Sequence, residues 1–465
     1  MDTFTSVLKT IQGIVFGPPT LILLVGTGLY FTIRLKGLQV TKFWKSMKFI
    51  VQKEEGTGAG DVSAFGSLCT TLAATIGTGS IVGVATALRA GGPGALFWML
   101  VSAFLGMTTK YAEGVLAVKY RTTDENGKMA GGPMYYIEKG MGKNWIWLAK
   151  MFAIFGLITA LFGCGTLPQV NAITESLENA FSVPVTLSCA ILTLIVIFVI
   201  IGGINSISRI AELVVPFMAG FFILGSLIIV AFNIEKVPAM FATIFKSAFN
   251  PSAVGGGIAG TAIITIMTSI RNGVARGVYS NEAGLGSSPI VAAAAKTNSC
   301  VRQGLISMTS VFFTTIITCT VTGIVILLSG LLETTTLDGS ILANNAYNIG
   351  LPGNIGTYIV TFGIIFFSFT TIIGWCYYGE RCAVYLTGST KSIKVFKVLY
   401  IMAIACAPLL KLDAIWLIAD ITNALMAFPN LIALLALSKV VIDETNKFFS
   451  PSKDSLQKIA SKNCN

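Results

Sequence analysis

Residues 72–89 read LAATIGTGSIVGVATALR, and residues 280–296 read SNEAGLGSSPIVAAAAK. Each sets Gly-x-Gly-Ser inside an apolar run that closes on one basic residue, Arg89 or Lys296. Glycine lets a backbone leave the helical region at little steric cost. In hydrocarbon, the N–H and C=O groups so freed are costly unless they line a cavity or bind something. Freed N–H groups at a half-helix N-terminus suit a carboxylate, and freed carbonyls suit an ammonium or Na⁺. Taken singly, either stretch fits close helix packing through small residues equally well. The pair is more telling, because matched Gly-interrupted segments in two halves of a chain point to a transporter's binding site.

Composition agrees with a membrane setting. Hydrophobic residues make up 54% of the 465 and charged residues 11%, where a soluble domain carries about 25% charged residues. Mean hydropathy is +0.78. The first apolar run lacks a basic stretch before it and a small-residue cleavage site after it, so it is expected to be a retained helix. The net charge of +11 does not imply nucleic acid, because Lys and Arg concentrate in alternate loops. The nine Cys show no CxxC pair, and His is absent, which removes imidazole metal sites and His-dependent catalytic triads.

A spanning helix needs about 20 apolar residues. Eleven candidates lie near 15–35, 63–88, 93–117, 146–167, 183–202, 209–233, 262–295, 302–329, 355–378, 393–410 and 413–438. Residues 240–261 are expected to form a partly structured loop before the seventh. The basic loops 36–55, 118–144 and 379–397 and the Lys-bearing C-terminal tail alternate with loops 168–182 and 331–354, which have no Lys or Arg. This pattern predicts an outside N-terminus and a cytoplasmic C-terminus. The first Gly-x-Gly-Ser then falls in the second span and the other in the seventh, five spans apart and opposed in direction. The expected architecture is one all-α polytopic membrane domain with an inverted five-plus-five repeat. It comprises an extra helix at about 15–35, a first repeat at about 63–233, a second at about 262–438 and a polar cytoplasmic tail at 442–465.

The blocks GTGSIVGVATALRAGGPGALFWM, KYAEGVLAVKYR, AGGPMYYIEKG, GVARGVYSNEAGLGSSPIVAAAAKT and TTIIGWCYYGERC lie between residues 69 and 382. In these the chain closely resembles the bacterial alanine or glycine:cation symporter family, of the leucine-transporter-fold superfamily. One departure is Ser80, where that family usually has Asn. The resemblance implies import of alanine or glycine with Na⁺ across the bacterial inner membrane, with no organic cofactor, no nucleic acid and no obligate protein partner. It implies substrate contacts at Thr78, Gly79, Ser80, Tyr279, Ala283, Gly284, Thr371 and Trp375. For Na⁺ it implies the carbonyls of Ala73, Ile76 and Phe367 with the hydroxyls of Thr370 and Thr371. Adjacent hydroxyls in an apolar helix fit a hard cation, and equally fit back-bonding to their own helix. Proton coupling in the same fold is the alternative mechanism. A channel would want a ring of like polar groups along a pore. An enzyme would need convergent acid, base and nucleophile, which this chain lacks. Lys110, Glu113, Arg271, Arg276, Glu282, Glu380 and Arg381 fall in or near apolar spans, where charges are costly. Most are expected to pair with one another or with freed carbonyls, and Glu282 adjoins the second glycine pair.

Overall fold

A computed structural model describes residues 3–52, 58–249, 266–410 and 412–450. The chain opens with α1 (Thr3–Val15), α2 (Pro18–Arg34), α3 (Leu38–Thr41) and α4 (Phe43–Val51). Then come α5 (Ala64–Thr75), α6 (Val82–Gly91) and α7 (Gly94–Lys119). A two-stranded antiparallel hairpin, β1 (Thr122–Thr123) and β2 (Met129–Ala130), follows. Next are α8 (Pro133–Tyr136), α9 (Ile146–Phe162), α10 (Leu167–Phe181), α11 (Val185–Ile201), α12 (Gly203–Phe232) and α13 (Val237–Phe249). Beyond them lie α14 (Ile266–Asn281), α15 (Ser288–Ala292), α16 (Cys300–Val311) and α17 (Thr320–Leu328), with a π-helical stretch, Phe312–Cys319, joining the last two. The chain continues through α18 (Leu331–Thr334), α19 (Gly339–Gly350), α20 (Ile355–Thr387), α21 (Ser392–Cys406), α22 (Leu412–Ala436) and α23 (Ser438–Phe449).

Among the described residues, eight helical stretches are long and apolar enough to cross a membrane. Three expected spans fall outside that set for separate reasons. The second is cut in two at residues 76–81, leaving the short helices α5 and α6. The fifth, α11, is 17 residues long. The seventh begins outside the described residues, as do residues 250–261 of the expected loop; its described part is α14, a break, and α15.

Several expected loops are corrected to helices. Residues 168–182 lie almost wholly in α10, and 331–354 hold α18 and α19. Both α10 and α19 bury apolar side chains, Leu167, Val170 and Ile173 in one, Leu342, Ala343 and Tyr347 in the other. Low Lys and Arg content marks such segments no differently from a loop, so packing decided them. The span expected to end at 167 ends at Phe162, where a third break precedes α10. The tail expected from 442 is helical through Phe449. It docks through buried Val441 and Thr445, with Thr445 Oγ1 2.7 Å from the Tyr111 hydroxyl and Glu444 paired to Lys119 at 3.0 Å.

The buried residues form two main apolar clusters. One includes Phe31, Tyr111, Phe152, Tyr279, Trp375 and Leu431. The other includes Ile76, Ile81, Val84, Phe222 and Phe367. The first broken helix belongs to the second cluster and the residues around the other two breaks to the first, and they meet at a seam through Ser80–Ser280 and Thr78–Gln169.

Candidate functional site: three helix breaks at one seam

Helix α5 ends at Thr75, residues 78–80 form one 3₁₀ turn, and α6 starts at Val82. At this first break the Thr371 hydroxyl, carried by α20, lies 3.0 Å from the Ala73 carbonyl and 3.0 Å from the Phe367 carbonyl. It has one proton and so donates to one of them at a time. Ala73, Phe367 and Thr371 are therefore brought together. The Thr370 hydroxyl instead donates to Phe367 O of its own helix at 3.0 Å. Ile76 ends the α5 helix beside them and is buried.

Gly77 and Gly79 make the approach of neighbouring elements possible. A Cβ on Gly77 would stand 2.5 Å from Thr371 Oγ1 and 2.9 Å from Gln169 Oε1. One on Gly79 would stand 2.8 Å from the Tyr279 ring and 3.0 Å from Ser280 Cα. The two opening motifs touch through their neighbours: the Ser80 and Ser280 hydroxyls are 3.1 Å apart, and the Thr78 and Tyr279 hydroxyls 3.5 Å.

The second break is filled from within. Glu282 and Gly284 adopt left-handed φ of 57° and 88°, so α14 stops at Asn281. Both freed N–H groups of the glycine pair, Gly284 and Gly286, donate to Glu113 Oε1 at 3.1 Å. The Asn430 amide donates to the same oxygen at 2.7 Å and to Gly284 O at 2.9 Å. The Ala283 N–H donates to Asn281 Oδ1 at 2.9 Å, and Lys110 Nζ donates to the Asn281 carbonyl at 2.7 Å. A carboxylate and an ammonium one turn apart on α7 thus satisfy the two exposed ends of the broken helix, as the macrodipole favours. Ala283 and Gly284, expected to contact substrate, have their N–H groups engaged by these internal partners. Trp375 donates its indole N–H to Glu282 Oε1 at 2.8 Å, and Ser287 donates to the other carboxylate oxygen.

The third break was not expected. Residues 163–165 read Gly-Cys-Gly in an otherwise apolar stretch, the same signature as the other two, and it was the available signal. Gln169, on the first turns of α10, links this break to the first: its Nε2 donates to Cys164 O at 3.0 Å, and its Oε1 accepts from the Thr78 N–H at 3.1 Å. The Tyr400 hydroxyl lies 3.1 Å from Gly165 O and 2.7 Å from Ile372 O, and its one proton goes to one of them at a time. Cys164 Sγ donates to Asn423 Oδ1 at 3.1 Å.

Polar contacts flank the breaks on two sides. On the α22 side, Arg276 holds Asp420 through two bonds of 3.0 and 2.7 Å, and Gln12 adds a third at 2.9 Å. The guanidinium lies over the rings of Trp416 (5.2 Å) and Tyr279 (5.7 Å). On the hairpin side, the segment before α5 pairs in parallel with the segment after α15, Val62 with Ala295. Arg121 donates to the carbonyls of Ala293, Ala295, Ala59 and Thr297 at 2.7–3.0 Å. Asp124 of the hairpin holds Arg381 of α20 at 2.8 Å, and Arg381 also holds Glu380 at 2.7 Å.

Broken helices packed together, with hydroxyl and carbonyl oxygens converging on one break, fit the class of multi-pass secondary transporters. The family profile described as Sodium:alanine symporter family matches residues 1–462, and the chain belongs to that family. It is a sodium-coupled amino-acid symporter, not an enzyme. It is similar to an uncharacterized transporter of Haemophilus influenzae, at 54% identity over 97% of each chain. It is also similar to the sodium/alanine symporter AgcS of Methanococcus maripaludis, at 47% identity over 96% of this chain and 97% of that one. Among solved structures, a manganese transporter of Eremococcus coleocola superposes with a TM-score of 0.52 at 12% identity, covering 90% of this chain and 92% of that one. That likeness concerns the leucine-transporter-type fold alone.

Proposed function

We propose that the chain imports alanine, glycine or both with Na⁺ by alternating access. Family membership and the similarity to a sodium/alanine symporter support the substrate class. The observation that carries the ion site is the Thr371 hydroxyl, 3.0 Å from Ala73 O where α5 opens. Na⁺ is held by the carbonyls of Ala73, Ile76 and Phe367 with the Thr371 hydroxyl. Thr370 supports the set by holding Phe367 O. The substrate carboxylate meets the backbone at Thr78 and Gly79. Gln169 gives up its hold on the Thr78 N–H as the carboxylate arrives, and Ser80 keeps its link to Ser280. Tyr279 and Trp375 limit the space for a side chain, so large neutral amino acids are excluded. Ala283 and Gly284 form the support behind Trp375 through Glu113 and Glu282.

In this reading the eleven spans make an inverted five-plus-five repeat with one added N-terminal helix. The N-terminus is outside and the C-terminus cytoplasmic, as the distribution of Lys and Arg favours. Arg276–Asp420 then closes the outer face and the Arg121 and Arg381 contacts the inner. The cycle breaks one set while the other holds.

The test is uptake of labelled alanine into proteoliposomes with an inward Na⁺ gradient, against choline at matched pH and against a proton gradient. Concentrative uptake that requires Na⁺ supports the proposal. Uptake driven by the proton gradient in choline selects the proton-coupled alternative.

A further inference from the structure

We propose that the surface formed by α4 and α23 binds the headgroup of an anionic phospholipid, with Lys42 and Lys45 as its ligands and Trp44 as its interfacial anchor. The α2 helix ends at Arg34, and two successive left-handed residues, Lys36 and Gly37 (φ 55° and 64°), turn the chain sharply. The short helices α3 and α4 therefore start at the level where an apolar helix leaves the bilayer. Trp44 is 81% exposed, Val51 82% and Val40 62%, so none of the described residues covers this face. Exposed Trp at such a level marks the headgroup boundary, and the neighbouring aliphatic side chains suit the first acyl methylenes.

The α4 side of this surface is basic without an acidic residue of its own, while α23 carries Asp443 and Glu444, the latter paired to Lys119 and Lys447. From residue 3 to residue 53 the sequence has no Asp or Glu, while Lys36, Lys42, Lys45 and Lys48 follow one another. Lys42 and Lys45 stand over the same ring: their amines lie 4.7 and 4.8 Å from the centroid of Phe449. Lys45 is also 5.1 Å from Phe448 and 5.6 Å from Phe49. Neither amine forms an ion pair with a carboxylate among the described residues. Partial burial and the nearby Lys42 together push the Lys45 amine below its ordinary pKa. Two ammonium groups packed on one aromatic floor repel each other, and one phosphate between them would relieve that repulsion. Of the anions such a surface meets, a membrane-anchored phosphate alone also covers Trp44, Val40 and Val51. The inference depends neither on the proposed orientation nor on the proposed substrate.

The experiment uses the full chain in symmetric vesicles of phosphatidylcholine with a minority of phosphatidylglycerol. Acyl-brominated versions of one lipid or the other serve as contact quenchers of tryptophan fluorescence. The difference between wild type and Trp44→Phe isolates the Trp44 signal. Brominated phosphatidylglycerol should quench it more than brominated phosphatidylcholine at equal mole fraction, with an enrichment of about fivefold per lysine at low salt. The preference should vanish in Lys42→Gln/Lys45→Gln and in high salt. If the double variant does not fold, Lys45→Gln alone should lose about fivefold of the preference. Equal quenching by the two lipids in wild type, or a preference that survives in the folded lysine variants, overturns the proposal.

Discussion

The two glycines of the first break, two residues apart, should separate ion binding from substrate binding. Gly77 has φ −122°, which alanine also adopts, so Gly77→Ala acts through contact and not through backbone strain. Its methyl would stand 2.5 Å from Thr371 Oγ1, nearly an ångström short of ordinary contact, and 2.9 Å from Gln169 Oε1. The Thr371 hydroxyl must swing off Ala73 O, because the methyl is fixed to the break itself. Overfilling a packed site of this kind costs about 1–3 kcal/mol, which is a rise of roughly 5- to 150-fold in the Na⁺ concentration for half-saturation. In Gly79→Ala the methyl meets the Tyr279 ring at 2.8 Å and Ser280 Cα at 3.0 Å. It should weaken alanine by a comparable factor even at saturating Na⁺. The assay is equilibrium binding of labelled alanine to purified protein over a Na⁺ titration. Alanine and Na⁺ are linked reciprocally, so each constant is taken with the other ligand saturating. If folded Gly77→Ala titrates Na⁺ like wild type, Thr371 is not an ion ligand and the first break is a packing device. If Gly79→Ala shifts the Na⁺ constant alone, the two roles assigned here are wrong.

Thr371→Val should raise the half-saturating Na⁺ concentration about fivefold or more, as loss of a hydrogen-bonding oxygen worth about 1–3 kcal/mol requires. Thr370→Ala should shift it less than threefold, since that hydroxyl is bonded within its own helix; equal shifts in the two variants would contradict the assignment. Glu113→Ala should lower the thermal midpoint strongly, because it orphans the Gly284 and Gly286 N–H groups and the Asn430 amide. Glu113→Gln keeps an acceptor carbonyl and should retain most of the stability; a midpoint as low as that of the alanine variant would show that charge, not the cap, matters. For Asp124, burial raises the carboxyl's pKa, but bonds from Arg381 and from the Lys128 and Asn126 N–H groups outweigh it and hold it below its ordinary 3.8. Its stabilising contribution is then full above that value and lost as pH falls through the lowered one. The gap in melting midpoint between wild type and Asp124→Asn should narrow on acidification from neutral pH, and a gap that widens would contradict this.

Hydropathy is a local property, and so the membrane class, most spans and the two opening breaks were legible from residues alone. The glycine pairs with adjacent hydroxyls predict breaks at Gly77–Gly79 and Gly284–Gly286, and both are present. The Gly-Cys-Gly at 163–165 carried the same signal, yet it was absorbed into a span because the flanking residues are apolar enough for one. Helices α10 and α19 read as loops in sequence because polarity distinguishes lipid-facing from water-facing segments, not loops from helices buried in protein. What only the tertiary structure decided is which group satisfies each freed backbone atom. A substrate carboxylate and the Glu113 carboxylate answer the same demand at the Gly284 and Gly286 N–H groups. Glu113 lies 171 residues from Gly284 in sequence, and Gln169 lies 91 from Thr78. A broken helix advertises its unpaired ends in its own sequence. Which distant side chain reaches them depends on how α7 and α10 pack against the breaks, and no local pattern encodes that distance.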